Sequence, residues 1–570
     1  MGQSVTQTDV VSPTGDVVAG PRLRPPSIPA VVFGVLAVVV PIALQIPLLN
    51  SDGDLARHLA HGRYMLEHGG VIRSDPFSFT RPGAPFIGFE YGSQLLYALA
   101  ERGGSLAGVA VLAGLLIALT YALLTRFLLR RGVDPLLACL TLATAVVLGI
   151  GHWSARPHLF SFLAVVLLLD GLEGRWPKPA IPTALLFGVW ANLHGGFVYG
   201  WILIGIYLVG SVAELVWGEE NQKATWKSRV KYYGTMLGTA FAATLLNPYG
   251  VGLHRHLLEF FGTPYLMENT AEFVSPNFHE PGAKMFLGLL LASVIALSIH
   301  RPRPSLPRLL LICGSTAFAL NAVRNVPLFG LTALPILALH LESSWRRLPD
   351  PGGVRARFEI TAGCTSTLPW VLPVIALVLI LGGARGRAGS LQLIRNEFDP
   401  TVFPAAAVTE ARHHSLSGKI FSEFAWGGYL VYAWPEQKIF IDGGTDFFGE
   451  RIFRAYVQIK QMSPGWRDSL AKYDVSLLLL ERERPFTYEV ARDGRWLLWY
   501  CDSLAVVFRR STTAQAVSPP TADSADDALH RCGNRPVTPA RPQTEAILPR
   551  GGMHAAGSPP RQPAAPRALR

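Results

Sequence analysis

The chain has 570 residues, half of them hydrophobic and only 16% of them charged, against roughly 25% charged in a soluble domain. That balance excludes an ordinary soluble globular protein. The net charge of +11 would suggest a nucleic-acid partner in a soluble chain, but Arg and Lys cluster at the ends of apolar segments. There is no zinc-finger spacing and no basic–aromatic stripe, so nucleic acid is excluded as a partner.

In chain order, residues 1–27 are polar with Pro and Gly and read as a disordered N-terminus. Apolar runs then recur, each long enough to cross a hydrocarbon core of about 30 Å. They cover 30–49, 106–129, 135–151, 158–172, 181–196, 198–217, 233–247, 284–300, 306–321, 326–342 and 367–383. Only helices or closed barrels satisfy backbone hydrogen bonds in lipid. The short alternating segments of a barrel are missing here. The first run lacks a small-residue cleavage site and reads as an uncleaved helix. The fold class expected is therefore an α-helical polytopic membrane protein of about eleven transmembrane helices, spanning 28–385.

Charge sets the orientation. With the N-terminus cytoplasmic, the inner segments carry Arg22 and Arg24, Arg126, Arg130 and Arg131, Arg175 and Lys178, Lys223 to Lys231, Arg301 to Arg308, and Arg346 to Arg357. The short outer turns carry only Arg156, Arg255 and Arg324, a positive-inside pattern. The long first outer loop, 50–105, is basic, but long loops cross despite charge. An odd number of spans places residues 387–510 outside. There Lys438–Asp442 reads as a strand, Arg451–Gln461 as an amphipathic helix, Val475–Leu480 as a buried strand and Trp496–Arg510 as a hairpin. This is a small α/β domain, followed by a Pro/Ala/Ser/Arg-rich tail, 511–570, expected to be disordered. Cys501 and Cys532 can pair only if that tail folds back. The composition reads as a bacterial product of the plasma (inner) membrane.

Polar residues of unusual character gather on the outer side. The first helix ends in Asn50-Ser51-Asp52-Gly53-Asp54, followed by His58. Outer turns hold His152, Arg156 and His158; Asn192 and His194; Glu268 and Glu272; and Asn321, Arg324 and Asn325. Ionisable groups at the membrane boundary commonly mark a site. Asp52 and Asp54 can bind a divalent cation, Mg or Mn, through oxygen, or one can serve as general base toward a hydroxyl. The plainer reading is that Ser51, Asp52 or Asp54 caps a helix from Leu55 to Glu67. For Arg324 it is snorkelling to headgroups, and for Asn192 and His194 it is bridging between helices. The stretches 73–80 and 89–97 are amphipathic and suited to a membrane interface. Trp426, Tyr429, Tyr432 and Trp434 read as core rather than as sugar platforms.

Several stretches together resemble the GT-C superfamily of membrane glycosyltransferases, in particular the protein O-mannosyltransferases and the aminoarabinose transferases of lipid A. The resemblance rests on Asp52-Gly53-Asp54 after the first helix, the long first outer loop, and about eleven spans followed by an outer domain. A bacterial branch is suggested by Ser74-Asp75-Pro76-Phe77-Ser78-Phe79-Thr80, Arg156-Pro157-His158, Trp190-Ala191-Asn192-Leu193-His194-Gly195-Gly196, Asn247-Pro248-Tyr249-Gly250, Trp426-Gly427-Gly428-Tyr429-Leu430 and Ile441-Asp442-Gly443-Gly444. A glycine separates the two aspartates where the mannosyltransferases have an adjacent Asp-Glu pair. The resemblance implies a polyprenyl-phosphate sugar as donor, a lipid or glycan acceptor, and inversion at the anomeric carbon. It implies Asp54 or Asp52 as base, Arg156 and Arg324 at the phosphate, and His58, His158, Asn192 and His194 at the substrate. A transporter or lipid flippase would place its carboxylates near the bilayer midplane, within internal repeats. A non-catalytic scaffold would need the acidic motif only as a cap.

Overall fold

The structure is a computed structural model. It describes residues 24–50, 53–301, 303–363, 366–511 and 529–530. Asp52, one of the two acidic residues after the first helix, and Cys532 lie outside the described residues, as does most of the tail.

Each of the expected spans falls on a helix. The order is α1 (Ile28–Ala43), α2 (Gln45–Asn50), α3 (Asp54–His68), α4 (Tyr91–Arg130), α5 (Pro135–Gly149), α6 (His158–Leu172), α7 (Ala180–Leu193), α8 (Phe197–Trp217) and α9 (Lys223–Thr244). Then come α10 (Val251–Phe261), α11 (Pro264–Glu268), α12 (Pro281–Ile299), α13 (Leu306–Asn321), α14 (Val326–Trp345), α15 (Val354–Gly363) and α16 (Leu368–Gly383). Among the described residues five helices are long and apolar enough to cross a membrane by themselves, α4, α8 and α12 included, and shorter apolar helices accompany them. The chain is a multi-pass membrane protein.

Local chemistry sets the helix ends. Ser27 caps α1 by accepting from the Ala30 amide, and Asp134 caps α5 by accepting from the amides of Leu136 and Leu137 ahead of Pro135. Gly69, at φ 67°, closes α3 in the left-handed region that favours glycine. Two boundaries depart from the sequence reading. The run 30–49 breaks at Leu44 into α1 and α2. The run 106–129 is the second half of a 40-residue helix that begins at Tyr91 and kinks at Ser105. The stretch 89–97 is therefore not a separate helix. It leads directly into α4, which is the hub packed against α1, α3, α5, α6 and α16.

The connections sort to two ends. At one end Arg131, Asp170, Glu173 and Arg308 form ion pairs, with Arg308 Nη2 2.5 Å from Glu173 Oε2. At the other end lie the long first loop and the domain after α16. That domain holds β1 (Arg387–Ala388), β2 (Leu391–Gln392), α17 (Ala405–His413), β3 (Ile420–Ser422), α18 (Phe424–Ala433), α19 (Thr445–Lys460), α20 (Trp466–Lys472), β4 (Leu477–Glu481), α21 (Pro485–Arg492), β5 (Trp496–Cys501) and β6 (Ala505–Arg510). Its main sheet has the order β3-β4-β6-β5, parallel between β3 and β4 and antiparallel elsewhere. The buried strand and the hairpin stand where the alternation placed them. Phe421, Phe440, Phe453, Leu478, Phe486 and Phe508 form a core separate from that of the bundle. Leu529, from within the stretch 511–570, is buried in it, and Cys501 is disulfide-bonded.

Lys438–Asp442 is not a strand of this sheet. Ile439 makes single bridges to Ile420 and to Ser78 of the first loop. The Ile439 amide donates to the Phe77 carbonyl and its carbonyl accepts from the Phe79 amide, both at 3.0 Å. Thr80 Oγ1 donates to the Phe440 carbonyl at 2.7 Å, and the Arg81 guanidinium donates to the Phe447 carbonyl. The motif 74–80 is thus a strap pairing with the domain after α16, not a helix. Asp75 shapes its turn by accepting from the Ser78 hydroxyl and from the Phe77 and Ser78 amides. Trp426, Tyr429 and Trp434 are buried, as the core reading expected.

Candidate active site

α3 positions the site. Its N-cap is Gly53, which has no side chain to cap it. Asp54 is the first helical residue, and its carboxylate turns to guanidinium groups, which answers the capping question for this residue. Oδ2 is 2.5 Å from Arg156 Nη2, and Oδ1 is 3.4 Å from Arg57 Nη2. The start of α3 is pressed against glycines of the domain after α16. A Cβ on Gly53 would stand 2.0 Å from the Ala425 carbonyl oxygen, and one on Gly428 would stand 2.2 Å from that of Gly53. A Cβ on Gly443 would stand 2.1 Å from Asp54 Oδ1. The Trp-Gly-Gly-Tyr and Asp-Gly-Gly motifs have glycine because backbone meets backbone and carboxylate at these points.

Arg156 continues the chain of charges. Its Nη1 is 2.5 Å from Glu272 Oε1, and Arg324 Nη1 is 3.6 Å from the other oxygen of Glu272. Burial favours the neutral form of Glu272, but Arg156 and Arg324 outweigh it and hold its carboxyl well below the usual range. Arg324 also lies over the Phe273 ring, 4.6 Å from its centroid. The two arginines expected at a phosphate therefore converge on one carboxylate.

Glu90, just ahead of α4, sits between two histidines. Its Oε2 is 3.7 Å from His58 Nδ1 and its Oε1 is 3.7 Å from His194 Nε2. His194 Nδ1 accepts from the Gly196 amide at 3.1 Å and is 2.7 Å from Ser161 Oγ. Trp190 Nε1 donates to that same Oγ at 2.7 Å, leaving the Ser161 proton for His194. The neutral ring thus carries its proton on Nε2, toward Glu90. Gln94 Nε2 is 3.2 Å from His58 Nδ1. Burial, together with nearby arginines, holds both histidines well below their ordinary range. Burial pushes Glu90 up to about 7, with Asp446 and Asp54 adding to the rise against Arg57 and Arg156. Asp442 is pushed to about 6 by burial, against the pull of Arg57 and of the Gly444 amide that donates to its Oδ1.

Of the residues singled out in the sequence, Asp54, His58, Arg156, His194 and Arg324 come together here. His158 points Nε2 to the His152 carbonyl at 2.7 Å. Asn192 bridges helices: it accepts from the Tyr91 hydroxyl at 2.6 Å and donates to the Leu246 carbonyl at 2.9 Å. Arg57, Glu90, Glu272, Asp442 and Asp446 also stand in the site, and His256 joins it with Nε2 3.0 Å from Asp446 Oδ2. Asp442 and Glu90 stood in noted motifs, but the convergence of Asp442 on α3 depends on the strap and that of Glu90 on α4. Among the described residues no group of three or more His, Cys, Asp or Glu is arranged to hold a metal ion. Asp54, the described member of the pair expected to bind a cation, is held between two guanidinium groups.

No protein-family model and no curated protein matches the sequence. Solved structures do match. One is the crystal structure of the Archaeoglobus fulgidus oligosaccharyltransferase in the apo form, at 12% identity over 85% of this chain and 74% of that chain, with TM-score 0.51. Another is the archaeal oligosaccharyltransferase AglB from Archaeoglobus fulgidus in complex with an inhibitory peptide and a dolichol-phosphate, at the same identity and coverage, with TM-score 0.52. ArnT from Cupriavidus metallidurans bound to undecaprenyl phosphate aligns at 15% identity over 86% of this chain and 99% of that chain, with TM-score 0.45. At these identities the archaeal likeness is a likeness of fold, and the chain shares the fold of the archaeal oligosaccharyltransferase.

Proposed function

We propose that the chain is an inverting glycosyltransferase that moves a sugar from a polyprenyl-phosphate donor to a lipid or glycan hydroxyl at the outer face of the plasma membrane. In this reading the N-terminus is cytoplasmic and the domain 387–510 extracytoplasmic. The observation that carries it is the line Asp54–Arg156–Glu272–Arg324. A base candidate stands next to Arg156, one of two guanidinium groups that share one carboxylate, and guanidinium binds phosphate oxygens in the same forked geometry as carboxylate.

In the proposed reaction the donor phosphate takes the place of the Glu272 carboxylate on Arg156 and Arg324. The acceptor oxygen attacks the anomeric carbon from the face opposite the phosphate. Its proton passes to Asp54, a new C–O bond forms, and the C–O bond to phosphate breaks. The electron pair leaves on the phosphate oxygen. Phosphate is a weak base and requires cations rather than a general acid, and fixed charges in a poorly hydrated site stabilise that developing charge more than water does. Arg156 touches both Asp54 and Glu272, so engagement of phosphate draws it from Asp54 as the proton must be accepted. The resemblance also implies a divalent cation at Asp52 and Asp54, but no step here is routed through one. His58 and His194, neutral and beside Glu90, are placed to hydrogen-bond the substrate.

The test is thermal unfolding of the detergent-purified protein with undecaprenyl phosphate, with and without Mg or Mn. A ligand that binds only the folded state stabilises it. A saturable, headgroup-specific rise is expected, and a rise seen only with cation would assign Asp52 and Asp54 to metal. No rise in folded protein removes the phosphate site. Asp54→Asn should abolish sugar transfer while keeping the lipid-phosphate shift; full activity would remove Asp54 from the mechanism.

A further inference from the structure

The chain has five cysteines. Cys139 and Cys313 are free thiols. Cys501, the last residue of β5, is disulfide-bonded. Within one chain its partner is therefore Cys364 or Cys532, both outside the described residues.

Geometry separates the two. The Cα atoms of a disulfide stand no more than about 7 Å apart. Ser366, two positions after Cys364, donates its amide to the Pro25 carbonyl at 2.9 Å, ahead of α1. That contact lies at the start of α16, whose 16 residues rise about 24 Å before the chain enters the domain that holds Cys501. Cys501 packs against the core of that domain, which is separate from the core of the bundle. Cys532 has a neighbour in the right place. Leu529 is 1% exposed and buried in the same core. The ring of His530 lies 6.1 Å from that of Tyr488 on α21, and α21 packs on β5. Three residues reach at most about 11 Å, so position 532 begins close to the sheet that ends in Cys501.

We infer that Cys501 and Cys532 form a disulfide that staples the segment carrying Leu529 to the domain after α16. Leu529 supplies the apolar half of the fastening and the bond supplies the covalent half. The bond also secures β5, the edge strand of the sheet, and it closes a loop of about 30 residues, which restricts the unfolded chain. Its formation takes two electrons and two protons from the thiols. A protein that carries an exchangeable disulfide accepts them. One thiolate of this chain attacks that disulfide, the second thiolate displaces the mixed disulfide, and the oxidant leaves as a dithiol. Disulfides persist in oxidising compartments, whereas cytosolic thiols are kept reduced. The inference is independent of sugar transfer and rests on the outward orientation proposed with it.

The experiment uses the full-length protein, with thiols alkylated at lysis and trypsin digestion without reduction. Mass spectrometry should find peptide 496–509 joined to peptide 532–550, and reduction should separate them. Both cysteines alkylated in folded protein, Cys501 joined to Cys364, or a covalent dimer on a non-reducing gel each overturns the inference. Cys501→Ser and Cys532→Ser should each lower the unfolding temperature by about 5 °C. The double variant should lose no more than either single one, because the two thiols act as one bond. Losses that add in the double variant overturn the pairing. Orientation is read separately. In Cys501→Ser, a membrane-impermeant maleimide applied to spheroplasts should label Cys532. Label there with no joined peptides in the wild type overturns the disulfide and leaves the orientation standing. Joined peptides without label overturn the orientation alone, and neither signal overturns both.

Discussion

Glu272 should act as an internal competitor for the donor phosphate, and removing its charge should tighten binding. Its two oxygens face Arg156 Nη1 at 2.5 Å and Arg324 Nη1 at 3.6 Å. At an effective dielectric of 20 a unit charge pair 4 Å apart interacts by about 4 kcal/mol, but these side chains are 20–37% exposed. Exposed pairs contribute only about 0.2–1 kcal/mol net, and hydrogen bonds to charged groups about 1.5–3 kcal/mol. A net competition of about 1–2 kcal/mol follows, so Glu272→Gln should bind undecaprenyl phosphate about five- to thirtyfold tighter. The assay is the midpoint of a lipid-phosphate titration read by thermal unfolding, with Arg324→Ala as the opposite control. Glu272→Gln that binds the lipid equally or more weakly, while Arg324→Ala weakens it, would refute competition and make Glu272 a binding residue. If neither variant moves the midpoint, the phosphate is not held by these arginines.

Glu90, raised to about 7, gives stability that is fully present below its unfolded value near 4.5 and is lost as pH rises through 7. Wild-type stability should therefore fall relative to Glu90→Gln between about pH 5 and pH 7.5, checked by unfolding temperature across that range; parallel profiles would contradict it. Gly443→Ala places a Cβ 2.1 Å from Asp54 Oδ1, and overpacking of this kind costs about 1–3 kcal/mol. A displacement of about 1 Å at a reacting group can cost about a hundredfold in rate, so sugar transfer should drop more than stability does; normal turnover would mean that Asp54 tolerates the shift. Gly62→Ala drives a Cβ to 2.2 Å from the Gln94 carbonyl oxygen of α4. Unfolding should occur at a lower temperature by the same order of about 1–3 kcal/mol, and an unchanged midpoint would show that α3 can slide on α4.

Membrane helices were legible in the sequence because lipid imposes one solution on the backbone: a run of apolar residues must be helical over its length. The same holds for Val475–Leu480 and the hairpin Trp496–Arg510, where alternation and local turns suffice. Asp54, Arg156, His194 and Arg324 were also legible, as charged or polar residues that are costly at a membrane boundary. What the sequence did not show was pairing between distant segments. Lys438–Asp442 has strand composition, but only the tertiary structure shows that its partner is the strap Phe77–Phe79, more than 350 positions earlier in the chain. That strap brings Asp442 and Asp446 to α3. Glu90 looked like one residue of an amphipathic stretch until the kinked α4 placed it between His58 and His194. Patterns of hydrophobicity and cost of burial are local properties, fixed residue by residue by the solvent each must face. Which carboxylate meets which guanidinium is decided by chain packing, and α3, held between α4 and the glycines of the C-terminal domain, is where that decision is made.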